Sequence, residues 1–277
     1  MAELYDRQLE ELGAEYDDLY VDTRFGTTHV VRLGNPDGRP LLLFHGGNST
    51  APYYLSGFKA LFGHFQLYAA DTVGHPGKSA QTVVSHRSMD YGFWASDVIS
   101  GLGFQKVGCV GGSYGGGILA KLMCVAPGKI EKAVLIVPSG FANAPAFAVM
   151  IKMGLPMLAY VISKHEKWLK KAILPMAVNA ENIDAATCEM VESSFRNAAI
   201  KAGMPSNVKY GDLCNFHAPA LLIAAEFDCL FPGQRVIEKA RKMIPGIRTH
   251  LLENQGHLCR LTAEAMYMLK SFLDYDD

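Results

Sequence analysis

The chain has 277 residues, 49% apolar and 19% charged, a globular composition long enough to bury about three quarters of its unfolded surface around one core. A formal net charge of -1, with no Lys/Arg block longer than the pair Lys170-Lys171, leaves no electrostatic footprint for nucleic acid or an anionic membrane, and neither is expected as a partner. Six cysteines without a C-x-x-C pair follow an acidic N-terminus that lacks an apolar signal core, which makes a reducing cytoplasm the expected location.

Two alternating apolar runs, Leu19 to Thr23 and Thr28 to Leu33, are joined by Arg24-Phe25-Gly26-Thr27 and predict an opening antiparallel pair of strands. Leu41-Leu42-Leu43-Phe44 is continuously apolar and ends in His45-Gly46-Gly47-Asn48, the pattern of a buried parallel strand whose carboxyl end feeds a loop. Comparable runs at Gln66 to Ala70, Lys106 to Val110, Lys132 to Val137, Ala220 to Ala225 and Thr249 to Leu252 bring the expectation to eight strands. Between them lie helical patterns. Tyr91 to Leu102 sets Trp94, Val98 and Leu102 on one face after an Asp90 cap, Ile118 to Val125 is a second apolar run, and Pro232 to Met243 a third segment. Strands alternating with helices predict an α/β fold with a doubly wound, mostly parallel sheet, whose ligand-handling loops leave the carboxyl ends of the strands.

One segment breaks the alternation. From Phe141 to about Asn215 no strand pattern occurs, and Asp184 to Ala202, stopped by Gly203, is the clearest helix. The expected division is therefore a core formed by residues 1–140 and 216–277, with a helical cap, residues 141–215, inserted over the sheet's carboxyl edge. The longest apolar stretch, Ala142 to Ile162, carries Lys152 and is interrupted by Pro145 and Pro156. These residues argue against a spanning helix and for a buried or lid-forming one, an interfacial lid remaining open. Phe147, Tyr160, Trp168 and Phe195 in this segment suggest a mostly apolar pocket.

Chemistry concentrates at Gly111-Gly112-Ser113-Tyr114-Gly115, between the run Lys106 to Val110 and the helical run after it. A serine with small residues at both second neighbours fits a tight strand-to-helix turn that lifts its hydroxyl above the sheet, with the next backbone N–H at a helix start. Ser113 is thus a candidate nucleophile. Such a hydroxyl needs a base, and the base needs an acid to hold its tautomer. Asp228 lies just beyond the strand Leu221 to Ala225, and His257 follows Leu251-Leu252 through Gly256. Glu226 is near the same strand end, but Asp228 is preferred on position; His45 and His75 lie in turns and read as structural. For an oxyanion, Tyr114 N–H is one candidate donor and Gly47 N–H, in the loop after the third strand, the other.

His45-Gly46-Gly47, the run Asp71-Thr72-Val73-Gly74-His75-Pro76-Gly77-Lys78-Ser79, Gly111 to Gly115, Glu226-Phe227-Asp228 and Gly256-His257 together resemble the α/β-hydrolase family over essentially the whole chain. That resemblance implies Ser113 as nucleophile, Asp228 as acid and His257 as base, with Gly47 and Tyr114 as oxyanion donors. It implies a serine hydrolase working without a cofactor; small to medium, mostly apolar carboxylic esters are the expected substrates, and a monomer or homodimer is the expected assembly. No metal is expected. Gly77-Lys78-Ser79 fails as a P-loop because Thr72 stands where Gly is required. Gly115-Gly116-Gly117 fits a dinucleotide fingerprint only loosely, as the strand after it ends without an acid. Cys229 and Cys259 flank the acid and the base without the spacing of a zinc site.

Three other readings stay open on the same residues: an aminopeptidase resembling the prolyl type, a carbon-carbon bond hydrolase, and a ligand sensor with slow turnover. Against the first, Asn48 and Tyr114 stand where that group has Pro and Trp. It also needs a cap carboxylate for the substrate ammonium, for which Glu181, Glu189 and Glu192 are available.

Overall fold

A computed structural model describes residues 1–179, 181, 183–197 and 203–274. Eight strands form one sheet in the order β1-β2-β4-β3-β5-β6-β7-β8. β1 (Tyr16–Thr23) and β2 (Gly26–Gly34) are the antiparallel opening pair, and β2 is also antiparallel to β4 (Phe65–Ala70). From β4 onward every neighbour is parallel: β3 (Arg39–Phe44), β5 (Val107–Gly112), β6 (Ile130–Ile136), β7 (Ala220–Ala225) and β8 (Arg248–Leu252). The eight expected strands are all present, each with boundaries within three residues of the sequence reading.

The continuous apolar runs follow from burial on both faces. Successive residues of one strand enter opposite cores: Leu42 and Phe44 pack with Trp94 of α3 (Asp90–Gly101), Ile118 of α4 (Tyr114–Val125) and Val236 of α9 (Gly233–Met243). Leu41 and Leu43 pack with Leu9 of α1 (Ala2–Glu10), Leu55 of α2 (Ala51–Ser56) and Leu269 of α10 (Ala263–Asp274). Asp90 does not cap α3. It is the first helical residue, after Met89, and its own N–H is taken by Ser88 Oγ at 3.2 Å.

Between β6 and β7 the described residues form helices. α5 (Ala146–Val149), a π-helical turn at Met150–Gly154 and α6 (Leu155–Ser163) run on as a single 18-residue helix, followed by α7 (Glu166–Ala177) and α8 (Ala185–Asn197). Pro145 interrupts the apolar stretch, the helix starting just after it, whereas Pro156 lies in the helix interior and does not break it. Pro156 has no N–H to give back along the helix, and the wide turn just before it absorbs that misfit. By length and composition this helix is apolar enough to cross a membrane, and only 11% of it is buried. Phe147 is exposed, whereas Tyr160 is buried on Leu169 and Ile173 of α7. The side chain of Phe195, and residues 198–202 of the expected helix end, lie outside the described residues.

Candidate active site

β5 ends at Gly112, and α4 begins at Tyr114, leaving Ser113 alone in the turn at φ 51° and ψ -113°. A non-glycine residue in this region costs about 1–3 kcal/mol and persists only where its surroundings enforce it. The enforcement is visible in the neighbouring glycines. A Cβ on Gly111 would stand 2.5 Å from the Gly115 carbonyl oxygen, and one on Gly115 2.0 Å from that of Phe44. The Ser113 backbone is held from both sides: its N–H donates to Ile136 O at 2.9 Å, and its carbonyl accepts from Ser139 N–H at 3.0 Å and Ser139 Oγ–H at 3.1 Å.

The candidate acid and base reach this turn from beyond the ends of the last two strands. His257 Nε2 lies 2.8 Å from Ser113 Oγ, and His257 Nδ1 lies 2.8 Å from Asp228 Oδ2. With Nδ1–H donating to the carboxylate, Nε2 is left as the acceptor for the serine hydroxyl, the tautomer that proton removal requires. Asp228 is itself fixed, its Oδ1 accepting Leu230 N–H at 2.8 Å and Phe231 N–H at 2.9 Å. Both Asp228 and His257 are buried, and the Phe231 ring meets the imidazole edge-on at 5.3 Å. Glu226 is exposed and bonds Asn254 N–H instead, so the structure brings Asp228 and not Glu226 to the histidine.

The loop after β3 lies against the same turn. A Cβ on Gly46 would touch Ser113 Cβ at 3.6 Å, and one on Gly47 would touch the Tyr114 side chain at 3.3 Å. Tyr114 N–H belongs to the first turn of α4, where no intrahelical acceptor exists. Tyr114 thus follows Ser113 directly, and Gly47 packs on the Tyr114 side chain next to Gly46, which meets Ser113. His45 carries the loop: Nδ1–H donates to Gly46 O at 2.7 Å, and Nε2 accepts Thr72 N–H at 3.0 Å. Burial lowers its pKa, keeping it in this neutral form. His75, beneath Asn48 N–H at 3.4 Å and against the Tyr114 ring at 4.5 Å, is pushed down to about 3 by burial and by the neighbouring His45.

Asp71, in the run after β4, has a structural part that its sequence context does not reveal. Its wholly buried carboxylate accepts Ala51 N–H, Lys78 N–H and Tyr5 Oη–H, and it meets His29 Nδ1 at 2.9 Å. Gly77 is required above it, since a Cβ there would lie 2.5 Å from Asp71 Cγ. The carboxylate thus pins α1, the start of α2 and the loop after β4 under the site. Cys229 and Cys259 stay thiols at neutral pH, burial pushing them up to about 11 and about 12. Among the described residues no cluster of His, Cys, Asp or Glu is arranged to hold a metal.

Every loop of the site also touches the helical segment. Met153 Sδ lies 3.9 Å from Cys229 Sγ, Leu258 N–H donates to Met176 O at 2.9 Å, and Tyr114 Oη–H donates to Gly203 O at 3.1 Å. Ser194 Oγ–H bonds Asn48 O. Gly256, which the sequence reading used only as a spacer before His257, is required here because a Cβ would stand 2.4 Å from Met176 O.

A doubly wound eight-stranded sheet with a strained serine turn after β5 is the architecture of an α/β hydrolase, and the comparisons with known proteins agree. A family model described as the alpha/beta hydrolase fold matches residues 39–164. The chain is 26% identical over 262 residues to carboxylesterase YbfK of Bacillus subtilis, covering 93% of this chain and 87% of that protein. It is 25% identical over 259 residues to an uncharacterized carboxylesterase, nap, of the same organism, covering 92% and 85%. The crystal structure of carboxylesterase CesB (YbfK) from Bacillus subtilis superimposes with a TM-score of 0.81 at 24% identity, over 99% of this chain and 96% of that one. The chain has the α/β-hydrolase fold, is similar to carboxylesterases, and is a hydrolase.

Proposed function

We propose that this hydrolase cleaves carboxylic esters of small to medium size through an acyl-enzyme on Ser113. The observation that carries the proposal is the hydrogen-bonded series Ser113 Oγ, His257 Nε2, His257 Nδ1, Asp228 Oδ2, each link 2.8 Å. In the proposed reaction Ser113 Oγ attacks the ester carbonyl as its proton passes to His257 Nε2, and Asp228 stabilises the imidazolium. The oxyanion is held by Gly47 and Tyr114 N–H, each such donor contributing about 3 kcal/mol to the transition state. Collapse expels the alcohol with the proton from His257. Water then attacks the acyl group, giving its proton to His257, and the carboxylic acid leaves as Ser113 recovers its own.

Two further observations support the ester reading. The relatives named above are carboxylesterases. Of the three carboxylates available to an aminopeptidase, Glu189 is paired with Arg7, Glu192 accepts the Tyr160 hydroxyl, and Glu181 is exposed. The segment 141–215 is proposed as a cap that shapes substrate access, supported by its contacts with the loops that bear Asn48, Tyr114, Asp228 and His257. Steady-state hydrolysis of p-nitrophenyl acetate, butyrate and octanoate, beside prolyl and alanyl p-nitroanilide, tests the proposal. Ester turnover that Ser113→Ala lowers by about 10⁴ is expected. Anilide turnover in its place, or saturable ester binding with a single turnover, overturns it in favour of a peptidase or a sensor.

A further inference from the structure

The helix from Ala146 to Ser163 is long, apolar and mostly uncovered. Phe147, Ile151, Leu155, Leu158 and Ile162 recur every three or four residues, the spacing of one helix face, and all are exposed, Phe147 at 73% and Ile162 at 76%. Met150 and Val161 widen the stripe. The opposite side is occupied: Tyr160 and Pro156 are buried, the former on Leu169 and Ile173 of α7. A helix docked along one side cannot thread a bilayer, but it presents its free side to whatever lies above.

Charge chooses among the occupants. Residues 146–177 contain Lys152, Lys164, Lys167, Lys170 and Lys171 against Glu166 alone, a formal +4 in a chain whose total is -1. The rest of the protein is therefore at -5, so the stripe and the helix after it carry the positive charge, while the acids Asp184, Glu189 and Glu192 lie on and just before α8, which meets the buried Tyr160 side through Glu192. All five lysines are exposed. Lys167 and Lys171 flank the half-buried Trp168, their ammonium groups 5.5 and 5.2 Å from its ring. A second copy seated on this stripe would bring like charges together, whereas an anionic phospholipid surface offers apolar depth and opposite charge.

We infer that the helix from Ala146 to Ser163 is an interfacial anchor, laying its exposed stripe into the surface of an anionic phospholipid bilayer while the flanking lysines meet the headgroups. Met153 on the same helix reaches Cys229, next to Asp228, so a docked molecule holds the acid loop close to the lipid. The inference does not depend on the ester reading, because binding is measured without turnover.

The test is flotation of the full chain with vesicles of phosphatidylcholine alone or mixed with phosphatidylglycerol. Wild type is expected to float with the anionic vesicles and to be released by salt, and Ser113→Ala to float equally. Phe147→Ser, Leu155→Ser and Ile162→Ser combined, and separately Lys167→Glu with Lys171→Glu, are each expected to lower the bound fraction by about tenfold or more. These side chains are exposed, so an unchanged thermal melt verifies that the fold persists. Failure of wild type to float, or flotation of the triple serine variant equal to wild type, overturns the inference. A dimer in sedimentation that the serine changes dissolve, with no flotation, assigns the stripe to a second copy instead.

Discussion

The two halves of the site region are built on opposite principles. Along the sheet's carboxyl edge, Ser113 and Val137 follow β5 and β6 at positive φ, strained conformations that their buried surroundings enforce, while Asn48 and Asn254 after β3 and β8 take positive φ at less cost. Under them Trp94, Tyr91 and Phe44 are fully buried. The helix from Ala146 to Ser163, by contrast, is mostly unburied and carries Phe147, Leu155, Leu158 and Ile162 in the open. Position is precise where, in the proposed reaction, a proton moves over one hydrogen bond, and side chains are uncovered along the helix proposed to meet a bilayer.

The contrast can be broken at its rigid end. With Ser113, His257 and Asp228 acting as one unit in the proposed reaction, His257→Ala is expected to lower ester turnover by about 10⁴, close to the loss from Ser113→Ala, and the double variant to lose little more. Steady-state rates on p-nitrophenyl butyrate for the three variants decide this; independent, multiplying losses would mean the residues do not form a unit.

Packing gives the next largest effect. Trp94 is wholly buried against Phe44 and donates its indole N–H to Thr28 Oγ1 at 2.8 Å. Trp94→Ala should cost about 3–5 kcal/mol in urea unfolding, while Leu158→Ser on the exposed helix should stay within about 0.5 kcal/mol. Equal losses at the two positions would erase the distinction between the regions.

Protonation sharpens the comparison further. His75 is held at about 3 by burial and His45, against an ordinary value of 6.5. Between these values the unfolded chain binds a proton that the folded chain refuses. Its contribution is complete above pH 6.5 and is lost as the pH falls from 6.5 towards 3, with a slope of roughly 1.4 kcal/mol per pH unit for one histidine. His45 acts in the same direction. Chemical unfolding between pH 5 and 7, where most carboxylates stay ionised, should show this slope, and His75→Gln should flatten it; a slope unchanged in that variant would place the titration elsewhere.

The sheet was legible because its signal is local: a strand buried on both faces reads as an apolar run such as Leu41 to Phe44, and a strained turn reads as Gly111-Gly112-Ser113-Tyr114-Gly115. The acid was harder. Glu226 and Asp228 are two residues apart, and only the bend after β7, with Leu230 and Phe231 N–H on Asp228 Oδ1, turns one of them to the histidine. α1 was missed although Leu4, Tyr5, Gln8 and Leu9 are spaced as a helix face, because its partners are distant: Tyr5 bonds Asp71, and Gln8 accepts the Thr50 hydroxyl proton. The exposure of the helix from Ala146 to Ser163 was illegible for a different reason. Apolar composition says that a segment avoids water when it can, not whether the chain supplies a cover.

The most direct test of the central claim is reaction with an activated alkyl fluorophosphonate, followed by intact mass measurement and peptide mapping. The account predicts one phosphonyl group per chain, carried on Ser113, with labelling and ester turnover lost together in Ser113→Ala. An adduct on another residue, or a Ser113→Ala variant that labels and turns over like wild type, would contradict it.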